Sequence, residues 1–196
     1  MRKIVLAALF MAGIAMSANA QKGSILLYGG TTFGSENNGV GTSFSLNPGI
    51  GYQFSDHWTV GLDLGASVAS HLTPSYQAGG FLRYTQAING IFAIYEQAGI
   101  GYLHAGETPG FSPYGRLSAN NLALNAAGAN GFYAVISLPN VAISIKNGFG
   151  VYLGFGNIGY SHLKTNDYSA SKFSFNFGNG LDFGISKNFG GVKSKK

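Results

Sequence analysis

The sequence predicts an all-β fold, an eight-stranded antiparallel up-and-down barrel that crosses a membrane. Large apolar residues alternate with small polar ones at a period of two through most of the chain, as they do in strands with two different faces. Only 10% of the residues are charged and 45% are hydrophobic, so much of the surface is unsuited to water. No window of useful length shows the period of an amphipathic helix.

The first twenty residues form a unit of their own. Arg2 and Lys3 precede an apolar run over residues 4–15, and the segment ends in an A-x-A pattern at Ala20. This is the form of a secretory signal peptide, so we expect cleavage after Ala20 and a mature chain that begins at Gln21. The apolar run is too short to span a bilayer, which takes about 20 residues.

Composition narrows the possible functions. The chain has no Cys, so the exported form has neither a disulfide framework nor a lipid anchor on cysteine. Removal of Arg2 and Lys3 lowers the net charge of +5 by two, and three of the remaining lysines lie in a short basic tail, residues 190–196. Without a basic stripe we expect no nucleic-acid binding, and without metal-ligand spacings or a phosphate loop we expect no cofactor.

The first four strands centre on one hairpin. In residues 43–54 and 58–69, large apolar side chains occupy one parity and small, mostly polar ones the other, on both sides of a tight turn. Residues 23–33 and 76–85 are predicted as the flanking strands. Pro48 predicts a local irregularity, because it lacks the N–H that a central strand uses in its ladder.

The fifth predicted strand, residues 91–104, contains a conflict. The phase that turns Ala98 and Ile100 outward also turns Glu96 outward, where lipid makes a charge costly. A β-bulge between Tyr95 and Ala98 would remove the conflict. The facing of Glu96 stays open at this point.

A second hairpin, residues 132–145 and 149–161, repeats the pattern of the first and again has an aromatic residue directly after its turn. The phase of its second strand shifts near Asn157. The last predicted strand, residues 172–189, has large apolar residues at seven of nine odd positions and at none of the even ones. This strand therefore has an apolar face and a face of Gly, Ser, Asn and a single Asp.

Short and long connections alternate, as they do in an up-and-down barrel. The short turns lie near Asp56, Asn89 and Asn147, and the long loops are residues 34–42, 70–75, 105–131 and 163–171. A closed barrel satisfies all backbone groups inside a bilayer, so we expect residues 21–189 to form one. Trp58 and Phe149, which follow short turns, would lie in an aromatic girdle. A soluble lipocalin-like barrel is the alternative, but its water-facing side would carry more charge.

Three segments carry a family resemblance: LNPGIGYQFSDHWTVGLDLG (46–65), GGFLRYTQAINGIFAIYEQAGIGY (79–102) and the C-terminal aromatic alternation. With them the chain resembles the small outer-membrane β-barrel proteins of Gram-negative bacteria, the OmpX/OmpA-like group. The resemblance implies an outer-membrane location and contact with outer-membrane lipids and the barrel-assembly machinery. It also implies an assembly signal in the last strand, which Asp182, Gly184 and Phe189 match. Lys187 departs from it, since an apolar residue is usual there.

Three inward charges are predicted: Asp63, Arg83 and Asp182. The interior of an eight-stranded barrel is barely wide enough for side chains, and buried charges must pair. We expect a structural network in the lumen in which Arg83 pairs with at least one of the two aspartates. The alternative interpretation is a proton or ion path.

The longest irregular stretch, residues 105–131, holds Phe111 and Tyr114 and is the best candidate for binding an extracellular ligand. An enzyme that removes acyl chains from lipid A would use a Ser-His-acid set. His162 follows Ser161, but neighbours in a strand face opposite ways. We therefore expect a structural or surface-interaction role rather than an enzyme. A small pore or carrier is the first alternative, and a lipid-modifying enzyme is the second.

Overall fold

A computed structural model describes residues 22–36, 41–70, 72–106, 128–145, 147–167 and 169–190, without the side chains at 32, 34–36, 41, 176 and 178–183. The predicted signal peptide, residues 107–127 of the predicted loop 105–131 and residues 191–196 of the tail lie outside these ranges. Within them, no helix is long and apolar enough to cross a membrane.

The described residues form a closed antiparallel barrel. Its strands are β1 (Ile25–Glu36), β2 (Gly41–Gln53), β3 (Trp58–Ala69), β4 (Leu72–Ala87), β5 (Phe92–Ala105), β6 (Ala129–Ser137), β7 (Asn140–Ser144), β8 (Phe149–Lys164) and β9 (Ser169–Phe189). Strands β6 and β7 together fill one position between β5 and β8, and β1 pairs with both β2 and β9. The ring thus has the eight strand positions that the sequence predicted, and the predicted fold class is confirmed.

The wall of the barrel has an apolar outside, and its buried charged and polar side chains point inside. On β3, Leu62 and Leu64 are 60% and 52% exposed, whereas Asp63 between them is 1% exposed. The same alternation makes Phe173 and Phe175 of β9 highly exposed. Since a water-soluble barrel would bury its large apolar residues, this distribution is the reverse of the one that water favours.

Three of the predicted long loops are wrong in their bounds. Strand β1 runs to Glu36 and β2 begins at Gly41, so only residues 37–40 of the predicted loop 34–42 lie between strands. Strand β4 begins at Leu72, so most of the predicted loop 70–75 is strand. Strands β8 and β9 leave only residues 165–168 between them, in place of the predicted 163–171. The physical reason is that strands are held together by backbone hydrogen bonds, which do not depend on the side chain. A polar residue such as Ser75 therefore continues β4 because Ser67 lies opposite it on β3.

The irregularity expected at Pro48 is a gap in the ladder between β2 and β3. Their pairing includes Leu46 and Gly49 but leaves out Asn47 and Pro48, and the register is the same on both sides of the gap. A second irregularity, with a change of register, lies at Pro139. Opposite β5, by contrast, Ala98 pairs with Ile136 and Tyr95 pairs with Asn140, so the β6–β7 side contains one extra residue. The bulge considered between Tyr95 and Ala98 therefore lies in the partner strand, at the break between β6 and β7.

Glu96 lies on the outer face without any bulge in β5. It pairs with Tyr84 of β4, and Tyr84 in turn pairs with Trp58 at the start of β3. Glu96 is also the fifth residue of β5 counted from the turn at residues 88–91. The exposed carboxylate thus lies towards the end of the barrel that carries the short turns.

The phase shift expected near Asn157 is present in β8. Towards the short turns Gly154 is the buried residue, and beyond the shift Asn157 and Ser161 are buried. The register against β9 changes between Gly154 and Gly156, where β9 contains three more residues than β8. The shift changes the parity of the inward residues, from the even positions Tyr152 and Gly154 to the odd positions Asn157, Ser161 and Leu163.

Candidate functional site

The lumen holds a hydrogen-bonded network around two charged side chains. Arg83 Nε donates to Gln97 Oε1 at 2.6 Å, and Gln97 Nε2 donates to Asp63 Oδ2 at 3.2 Å. Tyr28 Oη donates to Asp63 Oδ1 and accepts from Gln97 Nε2 at 3.0 Å. Gln97 therefore joins the predicted residues Asp63 and Arg83, which have opposite charges and are 1% and 7% exposed.

Aromatic rings surround the guanidinium group of Arg83. Its Cζ lies 4.4 Å from the ring centroids of both Tyr28 and Tyr95 and 5.5 Å from that of Phe81. Tyr152 packs edge-on against Tyr28 and Tyr95, with centroid separations of 6.2 Å and 6.4 Å. These rings supply cation–π attraction and fill the barrel at this level.

The break between β6 and β7 orients Gln97. Because the ladder is interrupted there, the Gln97 N–H donates to Ser137 Oγ at 2.8 Å instead of to a backbone carbonyl. Asn140 Nδ2 donates to the same Ser137 Oγ at 2.9 Å and to the Tyr95 carbonyl at 3.4 Å. Two side chains thus satisfy the backbone groups that the extra residue leaves without ladder partners.

Inward glycines accommodate the large side chains. A Cβ atom on Gly49 would overlap the Tyr28 ring, one on Gly61 would overlap Phe81, and one on Gly184 would overlap Tyr152. The space over these three glycines is therefore not empty, because a ring from another strand fills each one.

The loop-side part of the lumen is closed by an apolar cluster. Leu103, Tyr133, Val135 and Leu163 lie together there with Ala105 and Ala129, and all are at most 6% exposed. Together with the Arg83 network, this cluster fills the described interior at two successive levels. Such an arrangement stabilises a barrel and obstructs a water-filled path.

Trp58 and Phe149 lie on the outer wall at the ends of β3 and β8 that follow short turns, and they are 39% and 52% exposed. The Trp58 ring packs against Tyr84 at 5.0 Å. These positions suit the aromatic girdle predicted for them, whose role stays a prediction.

The end of β9 carries Gly184, Lys187 and Phe189. Gly184 is buried, and Phe189 is exposed and pairs with Ile25. Lys187 points outward, and its ammonium group donates to the Asn147 carbonyl and lies 3.9 Å from the Phe149 ring centroid. The lysine thus directs its charge towards the short-turn end, and the assembly role of Gly184 and Phe189 stays a prediction.

The structure gives His162 a serine partner other than Ser161. Ser161 is buried on the inner face, whereas His162 Nδ1 lies 2.9 Å from Ser171 Oγ across the β8–β9 pair. Tyr160 Oη also donates to Ser171 Oγ at 3.0 Å. Among the described residues no carboxylate is hydrogen-bonded to His162, and no cluster of three or more His, Asp or Glu is placed to hold a metal.

Several predicted site residues lie outside the described part of the chain. Phe111 and Tyr114 fall in residues 107–127, and the side chain of Asp182 is also outside it, although its backbone pairs with Gly154. Sequence reasoning missed Gln97 and Tyr28. Gln97 has the same parity as the inward residues Tyr95 and Gly99. An unambiguous assignment of the two faces of β5 would therefore have identified Gln97 as an inward residue.

Comparisons with known proteins give one structural likeness. No family model matches the chain, and no curated protein matches it. The backbone structure of the Yersinia pestis outer membrane protein Ail in a phospholipid bilayer nanodisc is similar over 86% of this chain and 100% of that chain, with 12% sequence identity and a TM-score of 0.37. At this score the likeness carries no argument. The evidence for the fold is instead the closed ring of paired strands. A closed barrel is also the fold that the resemblance to small outer-membrane barrels implied.

Proposed function

We propose that the chain is an integral outer-membrane protein with a structural or surface-interaction role. The observation that carries the proposal is the reversed distribution of residues. The outer wall is apolar around the ring, whereas the lumen is filled and holds the buried charged and polar side chains. A lipid bilayer is the environment in which such a wall is stable. Wherever neighbouring strands of the barrel are paired, their backbone groups bond to each other and leave no sheet edge exposed to lipid.

The filled lumen favours this role over a pore or carrier. Arg83 with its aromatic neighbours occupies one level and the cluster around Leu103 and Leu163 occupies another. Functional contacts are then expected at the loop end, where residues 105–131 form the longest predicted connection. We expect the ligand of that segment to be an extracellular one, on a surface or in solution.

The enzyme alternative has one supporting contact, the pair His162–Ser171. A hydrolytic site needs in addition a group that orients the histidine and donors for the oxyanion. If the protein deacylated lipid A, His162→Ala would remove that activity. The mass spectrum of lipid A would then change in cells that express the wild-type protein and would not change in cells that express the variant. We expect identical spectra for cells with the wild-type protein, with His162→Ala and without the protein.

The proposal is tested by membrane fractionation and by loop replacement. The protein is expected in the outer-membrane fraction after a urea wash, with a gel mobility that changes on boiling. A variant in which a short Gly-Ser linker replaces residues 107–127 should keep both properties and lose any binding of cells or soluble ligands. Recovery of the wild-type protein in the soluble fraction would contradict the membrane placement, and unchanged binding by the linker variant would contradict the role of the loop.

A further inference from the structure

A groove of about 460 Å³ runs along the outer wall beside the junction of β1 and β9. Leu46 and Pro48 of β2 form one side, and Phe149 and Ile185 form the other. Lys187 lies at the end near the short turns. We call this feature the β1–β9 groove.

The groove exists because β1 and β9 are paired over a short distance. Their ladder runs from Ile25 opposite Phe189 to Gly29 opposite Ile185, five residue pairs, whereas β1 and β2 pair over their whole described length. Where the ladder ends, the lining of the groove includes Gly29, Gly30 and Gly184, which have no side chains to fill it. A Cβ atom on Gly29 would lie 2.7 Å from the Asn47 carbonyl oxygen, so close strand packing requires glycine there.

The described residues that line the groove carry one positive charge and no negative charge. Lys187 contributes the charge, and the other described lining residues are apolar or small except Tyr28, whose hydroxyl group turns into the lumen towards Asp63. Its side chain runs along the Phe149 ring, and its ammonium group donates to the Asn147 carbonyl. An ammonium group has three hydrogens to donate, and the Asn147 carbonyl is its one hydrogen-bond acceptor among the described residues.

We propose that the β1–β9 groove binds an acyl chain of an anionic phospholipid whose phosphate contacts Lys187. From Leu27 to Thr31 the groove spans about 13 Å of strand, an apolar length that suits an acyl chain rather than a headgroup. The cation at the short-turn end then meets the headgroup of a lipid in the leaflet on that side. This inference rests on the membrane placement proposed above, and it adds a lipid class and a binding site.

The test uses tryptophan fluorescence, because the chain contains a single Trp, Trp58. The reporter variant Trp58→Phe/Phe149→Trp moves the indole to the wall of the groove, and we call the introduced side chain the groove tryptophan. The wild-type protein and the reporter variant are inserted into mixed vesicles, and quenching by brominated phosphatidylglycerol is compared with quenching by brominated phosphatidylcholine. The ratio of the two gives the preference for the anionic lipid at each tryptophan. We expect a preference of about fivefold at the groove tryptophan and of about one at Trp58, which lies on a different part of the wall.

Two substitutions in the reporter variant test the contributions of the charge and of the groove separately. Lys187→Gln removes the charge and keeps the length of the side chain, and Thr31→Phe narrows the groove and leaves the charge in place. Each is expected to lower the preference at the groove tryptophan to about one, since binding needs both the cation and the groove. Lys22→Gln, an exposed lysine at the same end, and Val68→Phe, on the outer wall of β3, are the matched controls and should leave it unchanged.

Three results would overturn the inference. A preference of one at the groove tryptophan would mean that the lipid beside it is ordinary annular lipid. A preference that is unchanged by Thr31→Phe would mean that Lys187 attracts the anionic lipid without the groove. Shielding of the groove tryptophan from both lipids would mean that another polypeptide, such as a second copy of the chain, covers the groove. If neither brominated lipid quenches Trp58 of the wild-type protein, the protein is not in the bilayer, and the proposed function fails rather than the lipid site alone.

Discussion

Asp63 holds the only negative charge among the inward-facing side chains that the structure describes, and Arg83 holds the positive charge of the Gln97 network. Asp63 accepts hydrogen bonds from Tyr28 and Gln97, and Arg83 donates to the same glutamine. In a lumen that excludes water, a charge that loses its counter-charge is far more costly than a neutral pair. The two residues are therefore expected to be coupled energetically.

Asp63→Asn should lower the free energy of unfolding by about 3–5 kcal/mol, because it removes the negative charge from the hydrogen-bonded network that holds Arg83. The double variant Asp63→Asn/Arg83→Met should regain part of this loss. Urea titrations in lipid vesicles, followed by Trp58 fluorescence, measure both effects. Asp56→Asn, in an exposed turn, is the control and should change stability by less than about 0.5 kcal/mol. Additive effects of the two substitutions would show that Asp63 and Arg83 are not coupled.

Gly184 has two possible roles, because it matches the assembly signal and also accommodates the Tyr152 ring. We expect Gly184→Ala to cost about 1–3 kcal/mol in the native background, since an added methyl group overlaps that ring. In a Tyr152→Leu background the same substitution should cost less than about 0.5 kcal/mol. The measurement is unfolding of protein refolded in vitro, without assembly machinery.

Gly80→Ala is the matched control for this pair, because a Cβ atom there meets only the Gly61 carbonyl oxygen, at 3.7 Å. It should leave stability nearly unchanged. If Gly184→Ala costs the same in both backgrounds, the Tyr152 ring is not the reason for the glycine. If it harms assembly in cells but not stability in vitro, the assembly signal is its main role.

Among the elements, the break between β6 and β7 is the one on which the lumen network depends. Ser137 accepts the backbone N–H of Gln97, and that glutamine joins Asp63 to Arg83. Ser137→Ala leaves a buried N–H without its partner, so we expect a loss of about 1–3 kcal/mol in the free energy of unfolding. Faster hydrogen exchange at the Gln97 amide, measured by NMR, would accompany it. Ser144→Ala, in β7 outside the network, is the control, and an unchanged Gln97 exchange rate would contradict the proposed role of Ser137.

The strand elements and their faces were accessible from the sequence, because apolar-out alternation is a local pattern. Strand β3 begins and ends at the predicted residues, Trp58 and Ala69. The extension of β4 into residues 72–75 was not accessible, because polar residues join a strand when a neighbouring strand supplies hydrogen bonds. That supply depends on residues far away in the chain.

The network was accessible only in part, for the same reason. Parity placed Asp63 and Arg83 inside the barrel, but their link through Gln97 depends on the register between β4 and β5 and on the extra residue at Pro139. A one-residue slip in either pairing would send Gln97 to the outer face. Register is a property of strand pairs, and a single sequence contains no direct record of it.

At the scale of the whole molecule, the side chains that fill the lumen distinguish a barrel without a channel from a pore. Five large inward rings, those of Tyr28, Phe81, Tyr95, Tyr133 and Tyr152, pack against the guanidinium group, against each other or over inward glycines. An eight-stranded ring has little interior space to begin with, and these rings occupy it. Ions that crossed would have to displace a buried charge together with its partners.

We therefore expect no stepwise current from the purified protein in planar bilayers in concentrated KCl, under conditions in which a general porin inserted in the same way conducts. The linker variant that lacks residues 107–127 should also be silent, because the obstruction lies between the strands and not in that segment. A gel-mobility change on boiling establishes that both samples are folded. Discrete steps from both proteins would show that the lumen opens to ions. Steps from the linker variant alone would show that residues 107–127, rather than the Arg83 network and the Leu163 cluster, close the path.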